Sequence, residues 1–142
     1  MPRSTIKLAV DPSAWQDEGI IVTTGMRPGE LVVRNASGLA RGSVAAASGE
    51  VLVLLESNKE GKHLSDTYTA GDPAEYVMPR RGDIVQMRLA ASQTLAIGSP
   101  LDAAATLGEL QLATVGTTKQ VIGYAVEAKV SGVASLIPVR IA

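Results

Sequence analysis

Short apolar runs, each interrupted by glycine or proline, set the strongest limit on how this chain of 142 residues can fold. Val, Ile and Thr are frequent in these runs, and β-branched residues favour extended strands. No segment shows apolar residues recurring every three to four positions between helix-capping residues. The 14 glycines and 7 prolines fall between the runs, where turns connect strands. The sequence therefore predicts an all-β protein.

The individual runs predict where strands lie. Segment 51–55 is continuously apolar, which is typical of a strand buried on both faces. Segment 83–90 alternates, with Val85, Met87 and Leu89 on one face, as expected of a half-buried strand. Strands recurring every ~8–12 residues indicate a small β-barrel or sandwich. The other predicted strands are 5–10, 20–24, 30–34, 108–112, 120–129 and 136–141.

Polar segments divide the chain. We interpret residues 1–24 as an extended N-terminal arm and residues 25–142 as the β-rich domain. Within that domain, residues 56–75 form the most polar stretch, which we interpret as a long surface loop or excursion. Loops of this length are uncommon in compact domains unless they have a function. Residues 35–49, rich in Ala, Ser and Gly, allow no assignment.

Composition excludes several classes of function. A formal net charge of -1 and only four aromatic residues argue against a nucleic-acid binder, which needs a basic face and stacking rings. The absence of Cys and the single His remove thiolate metal sites and zinc sites with two imidazoles, so we expect no metal and no cofactor. No apolar run reaches the ~20 residues of a membrane helix. Charged residues, at 19%, fall below the roughly 25% of average domains, which favours a surface partly covered by partners.

No group of residues predicts catalysis, and we therefore expect that the chain is not an enzyme. His63 lies near Ser65 and Asp66, but a catalytic triad needs convergence in space rather than adjacency in a polar loop. Gly61-Lys62 lacks the glycine and the hydroxyl residue that a phosphate-binding loop requires. Acidic residues in segment 11–18 do not follow the calcium-loop pattern, and a solvated turn explains them.

The C-terminal half, residues 71–142, carries a recognisable order of motifs. A Gly82-Asp83 turn opens a strand, and the segments 94–101 and 108–110 follow with glycine and leucine at fixed steps. Segment 121–128, Val-Ile-Gly-Tyr-Ala-Val-Glu-Ala, precedes a closing strand that alternates Val139, Arg140 and Ile141. This order resembles the small β-rich capsid decoration, or cement, proteins of tailed bacteriophages.

The resemblance implies a structural protein of the virion. Such proteins bind the outer surface of the expanded capsid, bridge capsomers of the major capsid protein and often form homotrimers. The expected location is therefore the outside of the capsid, after assembly in the host cytoplasm. The absence of Cys fits a reducing compartment. Nothing in the resemblance implies a nucleic-acid or membrane partner.

Six residues are the expected contacts with the capsid or with neighbouring subunits. Those in the arm are Ile6, Leu8, Val10 and Trp15, since an extended arm can add a strand to a neighbouring sheet. Trp15 either packs on its own domain or anchors the chain in a partner's pocket. Arg80 and Arg81 are expected polar contacts, and an exposed turn explains them equally well.

Two other functions stay open at this point. The chain is alternatively a tail or connector component of the virion, which would be present in few copies. In a third interpretation it is a small β-barrel that binds a ligand in an apolar cavity lined by Met78 and Met87.

Overall fold

The computed structural model describes residues 6–42, 50–57, 63–113 and 120–142, and every regular element in these ranges is a β-strand. The all-β fold class is confirmed. Among the described residues no helix is long and apolar enough to cross a membrane. The strands are β1 (Lys7–Ala9), β2 (Trp15–Ile20), β3 (Leu31–Asn35), β4 (Gly38–Arg41), β5 (Leu52–Leu54), β6 (Pro73–Met78), β7 (Ile84–Leu89), β8 (Gln93–Leu95), β9 (Pro100–Ala103), β10 (Leu110–Leu112), β11 (Gly123–Ala125), β12 (Lys129–Ser131) and β13 (Ser135–Ile141).

The C-terminal strands close into a small barrel in the order β7-β10-β9-β11-β13, with β13 returning to pair with β7. The β7–β13 pairing is long, from Ser135 opposite Leu89 to Arg140 opposite Ile84. The contact between β7 and β10 is a single parallel pair at Leu89 and Leu110, so the two strands diverge beyond it. β1 pairs with the first residues of β7 and occupies the edge that β10 leaves uncovered.

The barrel interior follows from the alternation in its strands. Val85, Met87 and Leu89 are fully buried, as the sequence predicts. Arg88, on the other face of β7, is also buried, because the second sheet covers that face and the Arg88 guanidinium donates to the Pro28 carbonyl at 3.0 Å. Other side chains from the barrel strands that fill the core belong to Leu101, Ala103, Leu110, Ala125, Ile137, Val139 and Ile141.

The second sheet has the order β2-β6-β5-β3-β4 and curls until its two edges meet at a bridge between Ile21 and Leu39. Its concave face encloses a core of its own that includes Leu52 and Leu54, while Val53 faces the barrel core. β5 is therefore buried on both faces, as its continuous apolar run predicts. Through β5 the two cores share one strand.

The two polar segments predicted as an arm and a loop contribute strands and a buried side chain to the fold. The described part of the predicted N-terminal arm supplies β1 to the barrel and β2 to the second sheet, where β2 pairs with β6 along its whole length. The predicted loop 56–75 ends within β6, which begins at Pro73. Tyr68 in this segment is buried, and its hydroxyl donates to the Leu55 carbonyl at 2.8 Å. Residues 58–62 of the loop and 43–49 of the unassigned segment lie outside the described residues.

Candidate functional site

The four arm residues expected at an interface lie in different environments. Ile6 is fully buried in the barrel core, so its side chain packs within the chain instead of reaching a partner. Val10 is partly buried against the same core. Leu8 is exposed on β1 and lines a cleft of about 270 Å³ between β1 and β2. The structure therefore leaves Leu8 and Trp15 as the accessible apolar side chains of this set.

Trp15 is 39% exposed and is held by two contacts within the chain. Its ring meets Tyr76 edge-on, with centroids 5.7 Å apart. The guanidinium of Arg34 lies 4.8 Å from the ring centroid, at cation–π distance. Glu50 binds this guanidinium at 2.9 Å, and these hydrogen bonds raise the pKa of Arg34 above its ordinary value. Trp15 thus packs on its own domain while keeping part of its ring open to solvent.

Arg80 and Arg81 occupy the turn before β7. The Arg80 N–H and the Asp11 N–H both donate to the Asp83 carboxylate, at 2.7 and 3.1 Å, and this fixes the turn against the β1–β2 connection. The Arg80 guanidinium lies 3.9 Å from the Asp11 carboxylate. Gly82 adopts φ +91° and donates to the Ile141 carbonyl at 2.9 Å, which joins the turn to the closing strand.

Arg81 lines a cleft of about 440 Å³ together with Gly82, Tyr124 and Arg140, which we call the arginine cleft. Tyr124 on β11 lies directly opposite Arg140 on β13. All three large side chains are exposed, and neither arginine pairs with a carboxylate in the described ranges. Arginine and tyrosine are the residue types enriched at interface hot spots, and a guanidinium binds a carboxylate through two parallel hydrogen bonds. The cleft is therefore suited to acidic groups of a partner.

Tyr124 and Arg140 were not among the residues expected from the sequence. The alternation of Val139, Arg140 and Ile141 places the arginine on the outer face of a strand. What the sequence does not show is the register that sets Tyr124 opposite Arg140 and brings Ile141 to the Arg81 turn. These are pairings between distant segments.

A second exposed surface is apolar. β8 and β12 form a two-stranded ribbon apart from the barrel wall, with Val130 opposite Thr94. Val130 is 77% exposed, Ile97 after β8 is 76% exposed and Val133 after β12 is 75% exposed. We call the ribbon with these three residues the apolar ribbon. Covering such exposed aliphatic side chains with a partner removes apolar surface from water, which favours binding.

A third cluster, of buried charges, joins the barrel to the second sheet. Glu30 is 1% exposed and accepts from Arg41 at 2.9 Å and from Arg27 at 3.3 Å. Arg27 also reaches Glu109 at 3.3 Å. Burial lowers the pKa of the nearby Arg88 guanidinium, and the positive charge of Arg27 acts in the same direction. Both carboxylates of the cluster, Glu30 and Glu109, are paired with arginines of the same chain. We therefore interpret the cluster as a structural link between the two sheets.

The residues that suggested chemistry in the sequence do not converge. The His63 N–H donates to the Asp66 carboxylate at 2.8 Å, which closes a local turn on the surface. No group of three or more His, Cys, Asp or Glu side chains within the described residues is placed to hold a metal ion. Met87 lies in the barrel core and Met78 packs against the core of the second sheet, so the two methionines do not line one cavity.

The comparisons with known proteins give a likeness of fold. No protein-family model and no curated protein sequence matches the chain. Among solved structures, the chain is similar to the N base of the head fiber gp8.5 of bacteriophage phi29, with a TM-score of 0.53 and 15% identity. The alignment covers 91% of this chain and 94% of that one. At this level of identity the likeness shows a shared fold over nearly the whole of both chains.

Proposed function

We propose that the chain is a structural protein of a tailed-phage virion that binds the outer surface of the expanded capsid. The observation that carries the proposal is the likeness of fold, over almost the full length of both chains, to the base of a phage head fiber. The motif order of residues 71–142 supports the same assignment independently, through its resemblance to capsid decoration proteins.

The proposed mechanism is stabilisation by binding. A protein that binds the expanded shell and bridges neighbouring capsomers stabilises the expanded state by the free energy of its own binding. The arginine cleft and the apolar ribbon are the surfaces that support such contacts, the first through charge and the second through burial of aliphatic side chains. The role is non-catalytic, and it requires no cofactor.

The first experiment is the copy number of the chain in purified virions, measured by gel densitometry against the major capsid protein. A ratio approaching parity supports decoration of the whole shell. A ratio of a few per cent points to the tail or the connector instead. Absence of the chain from the particle would contradict a virion role.

A second candidate, the base of an appendage on the head, is favoured by the name of the structural neighbour, which is the base of a fiber. In that case the chain would lie only where a fiber joins the head. Electron microscopy of antibody-labelled virions distinguishes the two: a decoration protein labels the shell evenly, whereas a fiber base labels the root of each projection.

We also propose that the chain acts as a homo-oligomer, with a trimer favoured by the resemblance to decoration proteins. The molar mass in solution, measured by light scattering after size exclusion, tests this. A mass near three times 14.7 kDa supports the trimer, and a mass near 14.7 kDa at all concentrations contradicts self-association before binding.

A further inference from the structure

The outer edge of β2 carries backbone groups that the fold does not use. β2 pairs with β6 from Trp15 opposite Met78 to Ile20 opposite Pro73. The Glu75 carbonyl accepts from the N–H of Leu55, the residue after β5, at 2.9 Å, so Glu75 directs its backbone away from β2. Since Glu18 lies opposite Glu75, the pair is not hydrogen-bonded, and Glu18 directs its own N–H and C=O to the outer edge. By the period of two, Gln16 does the same.

The second sheet closes only at one end of this edge. The Val22 N–H donates to the Leu39 carbonyl at 2.9 Å, and Gly38 packs closely against the Ile20 carbonyl. Beyond that point the β3–β4 hairpin turns, and a cleft of about 180 Å³ opens beside Glu18 and Gly38. Within the described ranges, no backbone group pairs with Gln16 or Glu18 on this side.

A side chain of β2 itself occupies one of these outward backbone donors. The Glu18 N–H donates to the Asp17 carboxylate of the preceding residue at 2.8 Å. This local bond satisfies the donor in solvent, and a partner strand that supplies a carbonyl replaces it. Adding a strand to an exposed edge is an established mode of peptide recognition, in which backbone bonds give affinity and side chains give specificity.

Charge indicates which strand fits. β2 carries Asp17 and Glu18, both exposed, and no cation. The nearest cations are engaged, because Lys7 donates to the Gln16 side chain at 3.0 Å and Arg34 is paired with Glu50. Two copies of β2 placed side by side would set carboxylates against each other, which destabilises a strand pair. The edge therefore disfavours a second copy and favours a basic strand.

We propose that an extended segment bearing Lys or Arg side chains, from the shell protein to which this chain binds, adds as a strand to β2 at Gln16 and Glu18. The inference deepens the proposed function and rests on it. It assigns to β2 a binding role toward a basic peptide.

The test compares two variants at one position. Glu18→Pro removes the outward N–H and leaves the β6 ladder intact, and proline is tolerated where the N–H of an edge strand faces solvent. Glu18→Gln removes the charge and keeps the donor. Each variant and the wild type are sedimented with purified expanded heads that lack the chain, after circular dichroism has compared their folds.

We expect Glu18→Pro to bind heads at least about tenfold more weakly than Glu18→Gln, as the loss of a backbone hydrogen bond and its strand geometry implies. Equal binding of the two variants, with the wild type bound, overturns the strand-docking inference alone. Failure of the wild type to bind contradicts the proposed function, and the inference falls with it.

Two further outcomes are decisive. Gln16→Pro tests the same edge at a second position, and if both proline variants fail to fold, the N–H groups are needed inside the fold and the edge is not free. A dimer in solution that Glu18→Pro abolishes identifies a second copy as the occupant and overturns the assignment to a basic segment.

Discussion

Glu30 is a buried carboxylate at the junction between the two sheets. It is buried, and two guanidinium groups from different parts of the chain converge on it, Arg27 at 3.3 Å and Arg41 at 2.9 Å. Gly108 approaches so closely that a Cβ there would lie 3.2 Å from the Glu30 side chain. A charge this enclosed is stable only because each of its oxygens is paired.

Replacing Glu30 with Ala leaves Arg41 without its carboxylate and leaves Arg27 with Glu109 alone. We expect Glu30→Ala to lower the free energy of unfolding by about 3 kcal/mol, the low end for a broken buried pair because both arginines keep partial access to solvent. Urea denaturation measures the change. Glu50→Ala, which removes an exposed pair with Arg34, is the matched control and should change the unfolding midpoint little. Similar losses for both variants would contradict the role given to Glu30.

Asp11 makes the free energy of unfolding depend slightly on pH in the acidic range. The side chain accepts from the Ser13 hydroxyl at 2.7 Å and from the Ser13 N–H at 2.8 Å, and these bonds hold the pKa of Asp11 below its ordinary value of 3.8. Because the folded state binds the proton less readily, the stabilisation is complete above pH 3.8 and is lost as the pH falls through the lower folded value.

We therefore expect Asp11→Ala to be less stable than the wild type at pH 6 and to approach it at pH values below the folded pKa. Thermal melts of both proteins across this range measure the gap. A gap that stays constant, or widens on acidification, would show that Asp11 acts through something other than its ionised form.

At the level of elements, the meeting of β2 with β4 depends on Gly38. Gly38 adopts φ +135°, and a Cβ built on it would lie 2.1 Å from the Ile20 carbonyl oxygen, a distance that real contacts do not show. The close approach lets the second sheet curl until its edges meet at Ile21 and Leu39. Any side chain at this position forces the two strands apart.

Gly71→Ala is the matched control for Gly38→Ala. Gly71 also has a positive φ, +97°, but a Cβ there has nothing within 4 Å, so it bears the backbone strain alone. We expect Gly71→Ala to cost about 1 kcal/mol and Gly38→Ala to cost at least roughly twice that, because strain and clash add. Chemical denaturation of both variants measures this. Equal costs would mean that the β2–β4 contact gives way without loss.

Elements whose burial is set by their own sequence were predicted well. β5 is continuously apolar and lies between the two cores, and β7 alternates and buries Val85, Met87 and Leu89. β2 was displaced, since the predicted strand 20–24 lies after the observed one, Trp15–Ile20. An edge strand exposed on both faces has no apolar alternation to show. Its place is set by pairing with β6, which a single sequence does not display.

The same distinction applies to the candidate surfaces. Arg80 and Arg81 directly precede the Gly82-Asp83 turn, which is visible in the sequence, and the structure places them in that turn; their expected role as polar contacts stays a prediction. Ile6 was expected on a surface because a short apolar strand before a polar segment has the pattern of a free arm. The structure gives it a core position, since β1 occupies the edge of β7 that β10 leaves open. Which part of the β7 edge stays uncovered is set by the topology of the whole barrel, which the local sequence of β1 does not show.

At the scale of the whole molecule, the apolar ribbon and the arginine cleft are two exposed surfaces of different character, built from different elements. The aliphatic side chains of the apolar ribbon are the most exposed hydrophobic groups of the described chain. The arginine cleft places two guanidinium groups, neither paired with a carboxylate of the described residues, beside Tyr124 at the end of the barrel where the turn at Arg81 meets β13. Two neighbouring arginines give this cleft a local positive charge on a chain whose net charge is -1, so the cleft would attract acidic groups on a binding surface.

Charge reversal in the arginine cleft tests this arrangement. We expect the double variant R81E/R140E to bind expanded heads about tenfold or more weakly than the wild type at low salt, because two attractive contacts become repulsive. The difference should shrink as salt rises, since exposed charges are screened over about 8 Å at physiological ionic strength. The variant R81K/R140K keeps both charges and loses only the forked geometry, so its binding should lie between the two.

Sedimentation with heads over a series of salt concentrations measures all three proteins. If R81E/R140E binds as tightly as the wild type at every salt concentration while its fold is intact, the cleft faces solvent in the assembly and the partner covers the molecule elsewhere, with the apolar ribbon the next surface to mutate.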